Sequence, residues 1–148
     1  MKIEIPGDPV AQGRPRFYRI GNGVRVVDPA KSRAWKKHAQ THMMQQYKQS
    51  PIESGTPVVI VVNVFFPCPK SDHRKRNPPK RRWHTKRPDL DNVIKAVKDA
   101  GTGFLWYDDS QIVEIHATKL ICAQDESPRV EVRVRGLSCG VDEWGEEK

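Results

Sequence analysis

The sequence predicts an α+β domain of two layers, a mixed β-sheet with helices packed on one face. Three observations predict it. "PVVIVVNVFFP" (57–67) is continuously apolar and β-branched, which is the composition of a central strand buried on both faces. "RVEVRVRG" alternates with period two, so Val130, Val132 and Val134 turn inward together. Helical patterns at 29–50 and 91–100 are interspersed with these strands rather than grouped apart from them.

Taken in order, "MKIEIPG" alternates and reads as a short first strand. "GRPRFYRIGNGVRVVDP" reads as a hairpin, turning at Gly21-Asn22-Gly23, where residues tolerant of positive φ are needed. From Pro29 to Ser50, residues Trp35, Ala39, His42, Met43, Gln46 and Tyr47 recur at helical spacing and form one partly apolar stripe. His38 and His42 are also four apart, but no third ligand is evident and no metal role is assigned to them. Pro67 ends the central strand. Residues 67–87 have no period and carry four prolines; an insertion of that kind is functional or disordered. Asp91 to Ala100 reads as a helix closed by Gly101. Gln111, Val113, Ile115 and Ala117 then alternate with Ile112, Glu114, His116 and Thr118, as in a strand with one buried face. The expected domain is 1–136, with a basic loop at 68–87. The acidic segment 137–148 is expected to fray.

Composition narrows the class. At 148 residues and 36% hydrophobic, the chain supports one modest core. No run nears the ~18 apolar residues of a membrane span, and "MKIEIPGDPV" lacks the apolar stretch of a signal peptide. A soluble, cytoplasmic protein is expected. Cys68, Cys122 and Cys139 are odd in number and widely spaced, which argues for free thiols rather than a disulfide framework or a cysteine zinc site.

The net charge of +8 is local. Residues 70–87 hold nine Lys or Arg (Lys70, Arg74, Lys75, Arg76, Lys80, Arg81, Arg82, Lys86, Arg87) against the single acid Asp72, so the rest of the chain is balanced. Such a segment attracts a polyanion by Coulomb steering and counterion release. The bland reading is a solvated loop that binds nothing.

Directly downstream lies "KRPDLDNVIKAVKDAG" (86–101). Pro88 favours an extended Arg87, so the chain enters the helix extended. Asp89 and Asp91, at i and i+2, then point to one side, with Asp91 or Asn92 as the N-cap. Lys95 rises over the same face one turn later. The helix runs roughly 15 Å away from the pair. Residues 103–109, if extended, span roughly 20 Å and can return Asp108 and Asp109 to Asp89 and Asp91. Clustered carboxylates repel one another, and a hard divalent cation is a reason to assemble them. Beside them a lysine neutralises charge on a breaking phosphodiester, and the metal activates water. The plainer account makes the first pair helix-terminal acids and the second a turn.

The stretch "RPDLDNVIKAVKDAGTGFLWYDDSQIVEIHATK" (87–119) resembles the signature of the RusA-type endodeoxyribonucleases: Pro, D-x-D-N, a lysine four residues on, then D-D-x-Q-[VI]. Upstream "GDPVAQGRPRF" resembles the family's K-G-R-P-R segment, with Gln12 where a lysine is often found; "VVDPAKSRAWKK" and "SPRVEVRV" also match. The resemblance implies a homodimer that needs Mg²⁺, with Mn²⁺ as a substitute, and cuts branched DNA, above all the four-way junction, by paired nicks. It implies that Asp89, Asp91 and Asp109 carry the metal, with Asp108 a neighbour, and that Lys95 is the essential lysine. The long basic loop departs from the family pattern; with Trp83 for stacking on an unpaired base, and with Arg14 and Arg16 on phosphates, it is expected to grip DNA. The alternatives are a non-catalytic basic DNA-binding protein, or a nuclease acting on flaps or forks.

Overall fold

A computed structural model describes residues 1–138 and 140, so nine of the twelve residues of the expected acidic tail lie outside the described residues. Among the described residues seven strands and two helices follow in order: β1 (Lys2–Pro6), β2 (Arg16–Ile20), β3 (Gly23–Val27), α1 (Ala30–Gln46), β4 (Val58–Phe66), β5 (Arg82–Trp83), α2 (Leu90–Gly101), β6 (Ile112–Ile121) and β7 (Arg129–Gly136). Short 3₁₀ turns occupy Lys70–Asp72 and Asp109–Gln111.

Five strands form one mixed sheet in the order β1-β7-β4-β6-β5. β4 pairs parallel with β6 and antiparallel with β7, so it sits in the middle, as its unbroken apolar run requires. Val58, Ile60, Val62 and Val64 are fully buried on one face of β4, joined by Ile3, Ile5, Val130 and Val132 from the neighbouring strands. On that face lie both helices, α1 through Trp35, Ala39 and Met43, and α2 through Val93, Ala96, Val97 and Ala100. The fold is thus the expected α+β domain. Gln46 of the α1 stripe is bound rather than apolar in function: its amide donates to the Glu4 carbonyl at 2.7 Å and accepts from the Glu4 N–H at 2.8 Å, tying the helix end to β1.

Four details differ from the sequence reading. α1 ends at Gln46, not Ser50, with the Tyr47 N–H closing on Met43. The segment 103–109 is not extended; Gly103 donates to the Trp106 carbonyl at 2.7 Å in a tight turn that buries Trp106 completely. The outer half of β6 is not buried on either face: Val113 is 62% and Ile115 42% exposed, because α2 leaves this part of the sheet uncovered. Finally, residues 67–87 are bound to the domain. β5 pairs with Leu120 and Ile121, and Gln124 exchanges two side-chain hydrogen bonds with the Arg74 backbone.

Strands β2 and β3 form a separate two-stranded ribbon with a two-residue turn, in which Gly21 takes φ +56°.

Candidate active site

The path into α2 is set by a lysine. The Lys119 ammonium, on β6, donates to the carbonyls of Lys86 at 2.6 Å and Pro88 at 2.7 Å, while the His84 N–H bonds the Lys119 carbonyl. The chain is thereby held against the sheet just before the helix begins. The His84 ring packs edge-on against Phe66, and burial, with Lys119 and Lys86 nearby, holds its pKa below the ordinary histidine value.

Asp89, not Asp91 or Asn92, is the N-cap residue of α2; it is extended (φ −69°, ψ 142°) and its carboxylate makes no capping hydrogen bond. Pro88 fixes the reason, since the helix begins immediately after the extended residue that follows it. Asp91 therefore sits in the first helical turn, where the macrodipole favours an acid, and Lys95 follows one turn later. The Asn92 carbonyl accepts the Gln12 N–H at 3.0 Å, which brings the N-terminal segment to this end of the helix.

Asp108 and Gln111 build the opposing wall. The Asp108 carboxylate accepts the Ser110 N–H at 3.0 Å, and the Gln111 side chain accepts the Asp108 N–H at 2.9 Å, a reciprocal capping box. The Ser110 N–H, with the neighbouring Asp109 and Ser110 side chains, holds the Asp108 carboxyl below the usual carboxylate range. Buried Gln111 also donates to the carbonyls of Glu53 at 2.7 Å and Thr56 at 3.0 Å. Its part was missed at the sequence level, although D-x-x-Q before an apolar run is the pattern of such a box.

The two walls meet at a cavity of about 710 Å³ lined by Leu90, Asp91, Ile94, Lys95, Lys98, Asp99, Asp109, Ile115 and Ala117. Asp91, Lys95 and Asp109 are thus brought together. Asp89 and Asp108 do not line the cavity, and among the described residues no three His, Cys, Asp or Glu side chains are grouped to hold a metal ion. Two carboxylates from separate elements nevertheless fit one ion class. Mg²⁺ is commonly held by one or two carboxylates, keeping several waters and taking further oxygens from a substrate phosphate.

A second set of charges adjoins the cavity and had no signal in the sequence. Lys36 of α1 reaches Asp28 at 2.6 Å and Asp99 at 3.8 Å. The Lys36 ammonium, with help from Gln12 and Lys95, keeps the Asp28 carboxyl below its ordinary value. Asp28 therefore shares the electrostatic neighbourhood of Lys95.

The basic segment divides. Arg81 forks onto Glu126 (3.2 and 2.5 Å), and Arg82 pairs with Asp72 at 2.5 Å. Arg81 also lies over the Phe65 ring, which Arg129 covers too, at 4.7 and 4.0 Å from its centroid. These two arginines fasten the loop. Lys70, Arg74, Lys75, Arg76, Lys80, Lys86 and Arg87 are exposed and form no ion pair with a described residue. Trp83 is 69% exposed on the same segment. Arg14 and Arg16 are exposed at the start of the ribbon. Among the described residues no helix is long and apolar enough to cross a membrane.

Carboxylates and lysines lining one cavity, in a chain whose segment leading into α2 carries exposed cations without a described ionic partner, are the equipment of enzymes that cut a nucleic-acid backbone. Comparison with known proteins agrees with that class, and the chain is a nuclease by family. The family model for endodeoxyribonuclease RusA matches residues 6–135, and the chain belongs to that family. It is 36% identical over 143 residues to the uncharacterized protein YqaN of Bacillus subtilis (strain 168), covering 93% of this chain and 97% of that one. It is 27% identical over 134 residues to the crossover junction endodeoxyribonuclease rusA of Lactococcus phage r1t, covering 90% and 94%. Nucleases of this family generally depend on a divalent metal.

Proposed function

We propose that this chain is a Mg²⁺-dependent endodeoxyribonuclease that cuts branched DNA, with the four-way junction as its substrate. The observation that carries the reading is the shared cavity of Asp91, Lys95 and Asp109. The phage relative named as a crossover junction endodeoxyribonuclease supports the choice of substrate.

Asp91 and Asp109 would hold the ion; Asp89, two residues before Asp91 and outside the cavity lining, is exposed and free of any capping bond. Bound there, a divalent ion supplies Lewis-acid polarisation of the phosphate and a more acidic water. The chain's own residues do the rest. Lys95 places its ammonium where negative charge grows on the phosphate oxygens. Leu90, Ile94, Ile115 and Ala117 form apolar walls that thin out water around those charges. Asp108 and Gln111 hold the turn that presents Asp109. The unpaired cations of 70–87 hold the DNA arms by their phosphates. A four-way junction offers two equivalent strands, so two copies of the chain related by a two-fold axis fit paired nicking.

The test uses a labelled synthetic junction with Mg²⁺ or EDTA, beside flap and fork substrates. The junction is expected to be nicked symmetrically with Mg²⁺ and left intact in EDTA. Asp91→Asn is expected to abolish cutting and to leave junction binding intact or tighter, since one carboxylate facing the phosphates is gone. Normal cutting by that variant removes Asp91 from the metal site, and binding without any metal-dependent product leaves only a DNA-binding protein.

A further inference from the structure

The β2–β3 ribbon has features that neither the fold nor the nuclease site explains. All but one of its ten strand residues are exposed, and the last, Val27, is half-buried. Register sorts its side chains onto two faces. Phe17 stands opposite Val26, and Val24 lies on the same side; these three are 72%, 55% and 66% exposed. Arg19, opposite Val24, is the one cation on that side. Arg16, Tyr18, Ile20 and Arg25 occupy the other face, with Tyr18 directly opposite Arg25. A mainly apolar face left in water, with one arginine among three large apolar side chains, marks a binding surface. Between Pro9 and Val27 the chain has four arginines and no acid. None of the four forms an ion pair with a described residue. A second copy of the same cationic ribbon would repel it, whereas a polyanion would not.

Both feet of the ribbon stand beside the candidate site. On one side the Gly13 N–H bonds the Ser32 hydroxyl at 2.9 Å and the Gln12 N–H bonds Asn92 of α2. On the other, Asp28 is held by Lys36 beside Lys95. Five residues per strand reach about 17 Å from these anchors. A two-stranded ribbon of that size fits against duplex DNA.

We infer that this ribbon reads the branch point: Phe17, Val24 and Val26 stack on the base-pair face that a branch exposes, while Arg16 and Arg25 engage the phosphates of the adjoining arm. The inference rests on the branched-DNA reading above and adds to it the element that distinguishes a branch from a continuous helix. A linear duplex has no bare base-pair face along its length, so only branched DNA can use the apolar side. The arginine side serves both.

Binding without divalent metal separates the two faces. The probes are a four-way junction and a linear duplex closed by hairpin loops, so that neither end presents a base pair. Phe17→Ser with Val26→Ser is expected to weaken junction binding about tenfold or more and to leave the closed duplex within about twofold. Arg16→Ala with Arg25→Ala is expected to weaken both probes and to reduce the salt slope of binding by about two. All four positions are exposed or ladder-paired at the surface, and unchanged thermal unfolding confirms that the variants fold. Native discrimination by the serine variant overturns the inference. So does a native dimer that this variant turns into monomers in sedimentation, since the apolar face then belongs to a second copy. If the native protein favours the junction but cuts nothing with Mg²⁺, the nuclease reading fails and the ribbon's role stands.

Discussion

At the scale of single residues, position matters more than identity. The sequence between Asp89 and Asp109 contains five aspartates, and the fold gives them different tasks. Asp91, Asp99 and Asp109 line the cavity, Asp108 shapes a turn, and Asp89 caps α2 without using its carboxylate. Of the two lysines that line the cavity with them, Lys95 and Lys98, Lys95 is the one a single turn above Asp91. Replacing it by methionine keeps its length and removes its charge. The expected result is a fall in kcat of about 10²–10³-fold with little change in junction affinity, partly restored by arginine. Single-turnover cleavage beside a binding titration measures both. Glu126 carries a prediction of a different kind. Arg81 above all, with the Ala123 N–H and Arg129, lowers its pKa from 4.5 to about 2. A carboxylate depressed on folding stabilises the native state above its unfolded pKa and loses that effect as pH falls through the folded one. Glu126→Gln should therefore lower Tm at pH 7, and the difference from the native protein should close between about pH 4.5 and 2. A gap that stays constant to pH 2 would show that Glu126 does not fasten the loop through its charge.

At the scale of elements, α2 is the part on which the site depends, and its C-terminal end is fixed by a close approach. A Cβ on Gly101 would lie 2.5 Å from the Trp106 ring, and the Trp106 indole N–H bonds the Thr102 hydroxyl at 3.2 Å. By sequence Gly101 marks the helix stop; the structure keeps it inside the helix and makes it the seat of a buried tryptophan. Gly101→Ala should destabilise the protein by about 1–3 kcal/mol through overpacking. Urea denaturation is the check, and an unchanged midpoint would mean that Trp106 shifts freely. The basic segment was less legible. Its composition gave no period, because what orders it is distant in sequence: Glu126 for Arg81, Gln124 for Arg74, and the β6 edge for β5. Side-chain pairs that far apart leave no local pattern to read.

For the whole molecule, charge and layering set the working face. The surplus of positive charge resides in 70–87, and seven of its nine cations have no described ionic partner. If those seven contact phosphates, junction affinity should fall on the order of 10³-fold or more between 50 and 200 mM salt. Fluorescence anisotropy across that range measures it, and a flat response would assign binding to other surfaces. The helices cover one face of the sheet but stop short of outer β6, and the uncovered strip becomes a wall of the cavity.

The sequence by itself determined the mixed sheet, the central place of β4, the two helices, the hairpin and the lysine one turn above Asp91. Each of these is written in local period, β-branching or spacing, which act over a few residues. Only the tertiary structure decided that Asp109 shares a cavity with Asp91 while Asp108 turns to its own cap, that Lys119 secures the entrance to α2, and that Asp28, held by Lys36, feels the charge of Lys95. Those relations join residues 18 to 67 positions apart, and they exist only once burial of the valine-rich sheet has brought the elements carrying them together.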